Sequence, residues 1–318
     1  MIPSLPFGKA NFRTSAICLG TMYFGTKIDE ATAFSLLDFY AGAGGNFLDT
    51  ANKYASWLPG GQGGESEMLL GRWMRQRGNR QEMMVATKLG LPMPGVEAGL
   101  RAAQIEQECE KSLQRLGTDV IDLYYSHADD RKTPLEETLT AMDRLVRSGK
   151  VRQLGASNYV SWRLLQSLYT SRTGGWAEYA CVQLRHSYLR PNPWMPQEFA
   201  VQVPASREMI ELCADQGLRL LAYSPLLGGA YTRTDRPLPA AYDTPDNQAR
   251  LGVLRDVAKQ TGFTPNQIVL AWLMQSHPAA IPLTAASTVE QLRENLGAAD
   301  VHLAPDILLR LDNATCAK

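Results

Sequence analysis

The sequence predicts an α/β protein of the (β/α)8 TIM-barrel type, with an N-terminal β-hairpin and extra helices. Three observations carry this expectation. Short apolar, β-branched runs alternate with longer stretches of helical period from residue 16 to residue 298. The alternation repeats eight times, which implies parallel strands joined by helical crossovers. No linker divides the 318 residues, so 1–318 reads as one barrel domain. A doubly wound open sheet shares the alternation and is the competing architecture.

In chain order, a strand at 16–19 precedes a helix at 30–41, and 46–49 precedes 65–77. Strand 83–88 precedes helix 101–116, 120–126 precedes 135–148, and 151–156 precedes 162–171. The last three pairs are 180–184 with 206–216, 218–223 with 248–261, and 280–283 with 289–298. Turn chemistry agrees. Gly217 stands between helix and strand, where a left-handed C-terminal residue is wanted. Thr133-Pro134 followed by Glu136 is a helix start. Residues 264–275 form an extra helix, with Thr264 as N-cap and Pro265 as its first residue. Residues 5–15, with Gly8-Lys9 between extended pieces, form a hairpin that would plug one barrel end.

Composition narrows the function classes. Lys plus Arg and Asp plus Glu are 32 each, so there is no basic excess of the kind nucleic-acid binders show. No apolar run approaches the ~18 residues of a membrane span, and the N-terminus lacks a signal-peptide pattern. Five cysteines without C-x-x-C spacing read as reduced thiols of a cytoplasmic protein. Four histidines, at 127, 186, 277 and 302, without H-x-H or H-E-x-x-H spacing, argue against a metal-dependent barrel hydrolase.

In such a barrel, function sits on the loops that follow the strands. The second strand ends in Asp49 with Tyr54 five residues on, the third in Lys88, and the fourth in His127. Taken singly, a strand-end Asp caps turns, a Lys is solvated and a His is structural more often than each is catalytic. Together, on neighbouring strand ends, they form a set. Asp49 would pair with Lys88. An ammonium about 4 Å from the Tyr54 phenolate, at an effective dielectric of ~20, would stabilise it by roughly 4 kcal/mol. The expectation is therefore that Lys88 brings Tyr54 toward an acidity useful near neutral pH, with His127 donating to a substrate oxygen.

These segments resemble the aldo-keto reductase superfamily. Phe-Leu-Asp49-Thr-Ala-Asn-Lys-Tyr54, Val-Ala-Thr-Lys88 and Leu-Tyr-Tyr-Ser-His127 are similar to that family's catalytic Asp, Tyr, Lys and His segments, in order. Gly155-Ala-Ser157-Asn158, Val182-Gln183, Leu221-Ala-Tyr223-Ser224-Pro225-Leu226 and Ser287-Thr-Val-Glu-Gln291-Leu-Arg-Glu294-Asn295 continue the likeness over nearly the whole chain. The resemblance implies carbonyl reduction with NADPH, or less readily NADH. Tyr54 would be the general acid, Lys88 and Asp49 would tune it, and His127 would orient the carbonyl.

The resemblance also implies a dinucleotide lying extended across the barrel mouth, since the chain lacks a convincing G-x-G-x-x-G fingerprint. Thr21 would lie beside it. Ser157, Asn158 and Gln183 would meet the nicotinamide carboxamide, and Tyr223 would stack on the ring. Ser224, Pro225, Leu226 and Gly228 would line the pyrophosphate. Ser287 would stand at the start of the eighth helix, with Gln291, Glu294 and Asn295 toward the adenosine. One departure stands out: Ala285-Ala286-Ser287-Thr288 lacks the basic residue that many members place at the 2′-phosphate. Arg293 and Arg250 are the candidates for that charge.

The substrate is expected to be a small carbonyl compound, with Tyr23, Trp57 and Tyr125 at its pocket and Phe24 and Trp194 as further aromatic surface. An aromatic wall with some charge suits a sugar, an aryl ketone or a polyketide-derived ketone. Some relatives act instead as cofactor-sensing β subunits of potassium channels, but this chain keeps all four catalytic residue types. A homo-oligomer is compatible with the sequence, which carries no pattern that specifies one.

Overall fold

The structure, a computed structural model, describes residues 1–8, 12–195 and 201–315. Lys9, in the expected hairpin turn, and Cys316 lie outside the described residues.

Eight parallel strands close into a barrel. They are β3 (Cys18–Gly20), β4 (Phe47–Asp49), β5 (Met84–Leu89), β6 (Ile121–Ser126), β7 (Val151–Ser157), β8 (Tyr179–Arg185), β9 (Arg219–Tyr223) and β10 (Ala280–Thr284). Leu283 of β10 pairs with Cys18 of β3, so no open edge remains. Before the barrel, β1 (Ser4–Phe7) and β2 (Phe12–Ser15) pair antiparallel as the expected hairpin. Phe7 is fully buried and meets Phe47 edge-on at 5.6 Å, which seals the N-terminal end of the lumen.

The crossover helices are α1 (Glu30–Gly42), α2 (Glu65–Arg77), α3 (Ala102–Leu116), α4 (Leu135–Arg147), α5 (Ser161–Gly174), α6 (Arg207–Gln216), α7 (Pro245–Thr261) and α9 (Val289–Gly297). The extra helix α8 (Pro265–Gln275) starts with a full capping box. The Thr264 hydroxyl accepts from the Gln267 N–H, and the Gln267 side chain accepts from the Thr264 N–H. A tenth helix, α10 (Pro305–Asp312), was not expected from the sequence. It spans only eight residues, so its periodic signal is short. No helix of the described residues is long and apolar enough to cross a membrane.

Strand periodicity sorts side chains into two shells. Cys18, Phe47, Met84, Ala86, Leu123, Tyr125, Cys181, Leu221 and Ile281 fill the lumen. Leu48, Val85, Tyr124, Val182, Leu220 and Ala222 point outward, into the layer shared with the helices. Continuing each inward row by two residues places Asp49, Lys88, Gln183 and Tyr223 directly above the apolar filling. The site is thus the polar top layer of the same lumen.

The helices flanking this region are locked by a buried acid. Glu67 of α2 accepts from the Thr87 hydroxyl of β5 and from Arg115 Nε of α3, both at 2.6 Å. Close approach makes that geometry possible. A Cβ on Gly71 would lie 2.6 Å from the Arg115 carbonyl oxygen and 2.7 Å from that of Leu116. In an exposed helix, Gly→Ala stabilises by about 1 kcal/mol. Here Gly71→Ala is expected to reverse that sign, because α2 and α3 must separate, and to cost about 1–3 kcal/mol. A urea titration reads this as a lower midpoint.

Candidate active site

Asp49, Tyr54, Lys88 and His127 converge at the barrel mouth, as their strand-end positions predict. Lys88 and Asp49 have no exposed side-chain surface. A buried ammonium is tolerable only when each proton has an acceptor. Lys88 Nζ meets that condition fully: it bonds Asp49 Oδ1, the Thr50 carbonyl at 2.8 Å and the Tyr54 hydroxyl at 2.7 Å. Asp49 is equally engaged. Its Oδ1 also accepts from the Tyr54 hydroxyl at 3.2 Å, and its Oδ2 accepts from Gln183 Nε2 at 2.8 Å. The Tyr54 hydroxyl therefore both receives from Lys88 and donates to Asp49.

This arrangement corrects the expected direction of the Tyr54 acidity. Burial, followed by the charge and hydrogen bond of Asp49, holds the phenol well above its ordinary value. The sequence estimate counted Lys88 alone. In the fold Asp49 touches both Lys88 and the phenol, so the ammonium's effect is largely cancelled. Lys88 itself is lowered by burial, against the opposing pull of Asp49.

His127 packs edge-on to Tyr54, with ring centroids 6.1 Å apart. Burial, then the Lys88 and Lys53 charges, push its imidazole well below its ordinary range, so the ring is neutral near pH 7. Its Nδ1 is buried without a partner among the described residues. An orphaned N–H costs more than an orphaned lone pair, which assigns the proton to Nε2.

Hydroxyl groups that sequence reasoning missed hold the Asp49 loop in place. Thr50 Oγ1 donates to Ser66 Oγ, which donates to the Thr21 carbonyl, while Thr21 Oγ1 donates to the Asp49 carbonyl. Asn52, also buried, donates to Glu108 at 2.9 Å. Only the packing of α2 and α3 onto the strands makes these contacts, so local sequence carries no signal for them. Thr21, expected at the cofactor, is fully buried and positions Asp49 instead.

Asn158 ties three strand ends together. Its Nδ2 donates to the His127 carbonyl at 3.0 Å and to Ser157 Oγ, and its Oδ1 accepts from the Tyr223 hydroxyl at 2.9 Å. Among the described residues, Gln183 Oε1 and the Ser157 hydroxyl proton have no hydrogen-bond partner, and this donor–acceptor pair fits a carboxamide. Among the described residues, the non-glycine positions with positive φ are Ala55, Asn158, Ser224 and Leu227, all on loops that follow barrel strands. Such strain concentrates where a loop must present its backbone. Ser224 and Gly228 are exposed, whereas Pro225 is buried and its carbonyl accepts from Ser187. Leu226 is partly exposed.

The segment expected to meet the adenosine differs from expectation in several places. Thr288, not Ser287, caps α9, and Gln291 Oε1 accepts from both the N–H and the hydroxyl of Ser287. Asn295 is buried and donates to Thr284 and the Ala285 carbonyl, so its amide holds the fold together. Glu294 accepts from the Thr264 hydroxyl and braces α9 against α8. The two candidate cations differ in how far the fold commits them. Arg250 is buried over Tyr188 and donates to the carbonyls of Tyr188, Asp312 and Ala314, which fasten α10. Arg293 stacks on Phe39 of α1 at 4.6 Å.

Of the residues expected at the substrate, Tyr23 and Trp57 meet edge-on at 6.4 Å. Tyr125 does not line a pocket: it is fully buried in the lumen beneath Lys88, where its ring lies 5.7 Å from Nζ. The strand period explains this, since residue 125 belongs to the inward row of β6. Phe24 is likewise core, and Trp194 is almost fully exposed.

Residues 16–315 match the model of the Aldo/keto reductase family. The chain is 33% identical to the oxidoreductase YrpG of Bacillus subtilis, over 96% of this chain and 94% of that protein. It is 31% identical to norsolorinic acid reductase A of Aspergillus parasiticus, over 96% of this chain and 79% of that one. It is 30% identical to an aryl-alcohol dehydrogenase of Pestalotiopsis microspora, over 93% and 78%. With its barrel, its polar mouth and a match that runs almost from end to end, the chain belongs to the aldo/keto reductase family and is an oxidoreductase.

Proposed function

We propose that this protein reduces an aldehyde or ketone with NADPH, and that Tyr54 is the general acid. The observation that carries this reading is the Tyr54 hydroxyl, held at the mouth between Lys88 Nζ and Asp49 Oδ1. A nicotinamide cofactor, when bound, supplies the hydride. The chain's own groups do the rest. The carbonyl oxygen lodges between the Tyr54 hydroxyl and His127 Nε2–H; the Tyr54 proton turns to it from its long 3.2 Å bond to Asp49 Oδ1, and both donors stabilise the charge that develops on it. Tyr54 then passes its proton to the alkoxide. Lys88 Nζ, already bonded to that oxygen, holds the resulting phenolate, and Asp49 and the Thr50 carbonyl keep the ammonium aimed.

The raised phenol suits this direction of reaction. An alkoxide is far more basic than a phenolate, so Tyr54 need not titrate near neutrality to protonate one. It needs only to stay protonated beforehand. The relatives' names, a norsolorinic acid reductase and an aryl-alcohol dehydrogenase, support aryl or polyketide-type carbonyls as the substrate class.

Ser157 and Gln183 would hold the carboxamide, Tyr223 would flank the ring, and the Ser224–Gly228 loop would receive the pyrophosphate. At the 2′-phosphate, hydroxyls and backbone N–H groups at the start of α9 would take the main part, with Arg293 held on the Phe39 ring beside them.

Tyr54→Phe is expected to lower kcat by about 10²–10⁴ while NADPH still quenches protein fluorescence with wild-type affinity. Near-wild-type turnover would remove Tyr54 from the role of acid. A neutral His127 and a raised Tyr54 leave no ionisation at their ordinary positions. kcat/KM for reduction is therefore expected to be level between about pH 6 and 8, whereas alcohol oxidation rises with pH because it needs the phenolate. A bell centred near the ordinary histidine value would contradict this. With Arg250 engaged in the fold and Arg293 stacked on Phe39, the preference for NADPH over NADH is expected to be about tenfold or less in Kd. Parallel fluorescence titrations measure it.

A further inference from the structure

We propose that the wall made by Lys27, Tyr23, Trp57 and Lys53 selects aromatic carbonyl substrates that carry a negative charge, a carboxylate or phenolate, over neutral isosteres. This rests on the reading of Tyr54 as the acid, since it concerns what is brought to that residue.

The four side chains form a continuous row. Lys27 Nζ lies 4.6 Å from the Tyr23 ring, Tyr23 meets Trp57 edge-on at 6.4 Å, and Lys53 Nζ lies 5.8 Å from the Trp57 ring. Tyr23 follows β3 and Trp57 follows β4, so both belong to loops at the catalytic end of the barrel. Lys53 immediately precedes Tyr54 in the chain. Trp57 is 48% exposed. A large, partly exposed aromatic surface beside a catalytic mouth is suited to stack another ring.

The charges make the row selective. Among the described residues, neither lysine has an ion-pair partner. The acids on neighbouring loops are committed elsewhere. Glu65 Oε1 accepts from the N–H groups of Gln62 and Gly63, and its Oε2 is buried and bonds neither lysine. Asp129 pairs with Arg131 and Arg163. Asp130 accepts from the Thr133 hydroxyl and the Leu100 N–H. Lys53 is partly buried, which lowers it from its ordinary value, and its charge reaches His127. A half-desolvated ammonium without a counter-ion gains from any anion that docks against it. A neutral ring would leave that ammonium unpaired and further desolvated.

The test compares kcat/KM for 4-carboxybenzaldehyde and its methyl ester, both aryl aldehydes that differ in charge, at low ionic strength. The ratio within one preparation is independent of how much enzyme is folded. The acid is expected to be favoured by about tenfold or more, with the preference falling as salt is added. Lys53→Met is expected to lower the ratio by about tenfold, Lys27→Met by about two- to threefold, and Lys53→Arg to retain it. Equal use of both substrates by the wild type, or an unchanged ratio in Lys53→Met, overturns this inference and leaves the role of Tyr54 standing. Turnover of neither substrate, nor of any aldehyde in a broad panel, removes the reading of Tyr54 and this inference with it.

Discussion

The Lys88 ammonium sits inside the barrel with no exposed surface, and the organisation of the mouth follows from that. Moving an ammonium out of water costs several kcal/mol even after relaxation. The cost is bearable because all three N–H groups end on oxygen, from Asp49, Thr50 and Tyr54. Each acceptor is then constrained in turn. Asp49 needs Gln183 for its second oxygen, and the Thr50 carbonyl must stay where the Ser66 hydroxyl network holds its residue. A group able to donate a proton and tolerate its loss is thereby held in one place before any substrate arrives.

The scaffold supplies the rigidity this requires. Lys88, Asp49, Gln183 and Tyr223 all extend inward rows of strands whose lower members are packed apolar side chains. Their direction is set by the pleat, not by a loop. The loops carry the parts that must reach across, and there the backbone is strained at Ala55, Asn158, Ser224 and Leu227. Asn158 shows how the two regimes join, since one side chain fixes the His127 carbonyl and the Tyr223 hydroxyl together.

The relatives and the geometry speak to different levels. Membership of the aldo/keto reductase family identifies an oxidoreductase. What distinguishes this chain lies at the edges of the mouth. One edge is the start of α9, proposed to meet the 2′-phosphate, whose nearby arginines lie over Tyr188 and Phe39. The other is an aromatic row flanked by two lysines that have no counter-ion among the described residues. Both are departures in charge, and charge discriminates between ligands of similar shape.

The alternation of apolar runs and helical stretches determined a parallel sheet with helical crossovers and its eightfold count pointed to a barrel, whereas the β10–β3 pairing that excludes the open sheet belongs to the tertiary structure. The alternation also determined where Asp49, Lys88 and His127 would meet, because strand ends in a barrel share one face. Tertiary structure alone decided what those residues do to one another. Tyr54 is held protonated because Asp49 reaches it together with Lys88, a three-body arrangement no local pattern encodes. Tyr125 is core and Arg250 fastens α10 for the same reason: a side chain's neighbours come from other segments, whereas its own segment sets only which way it points.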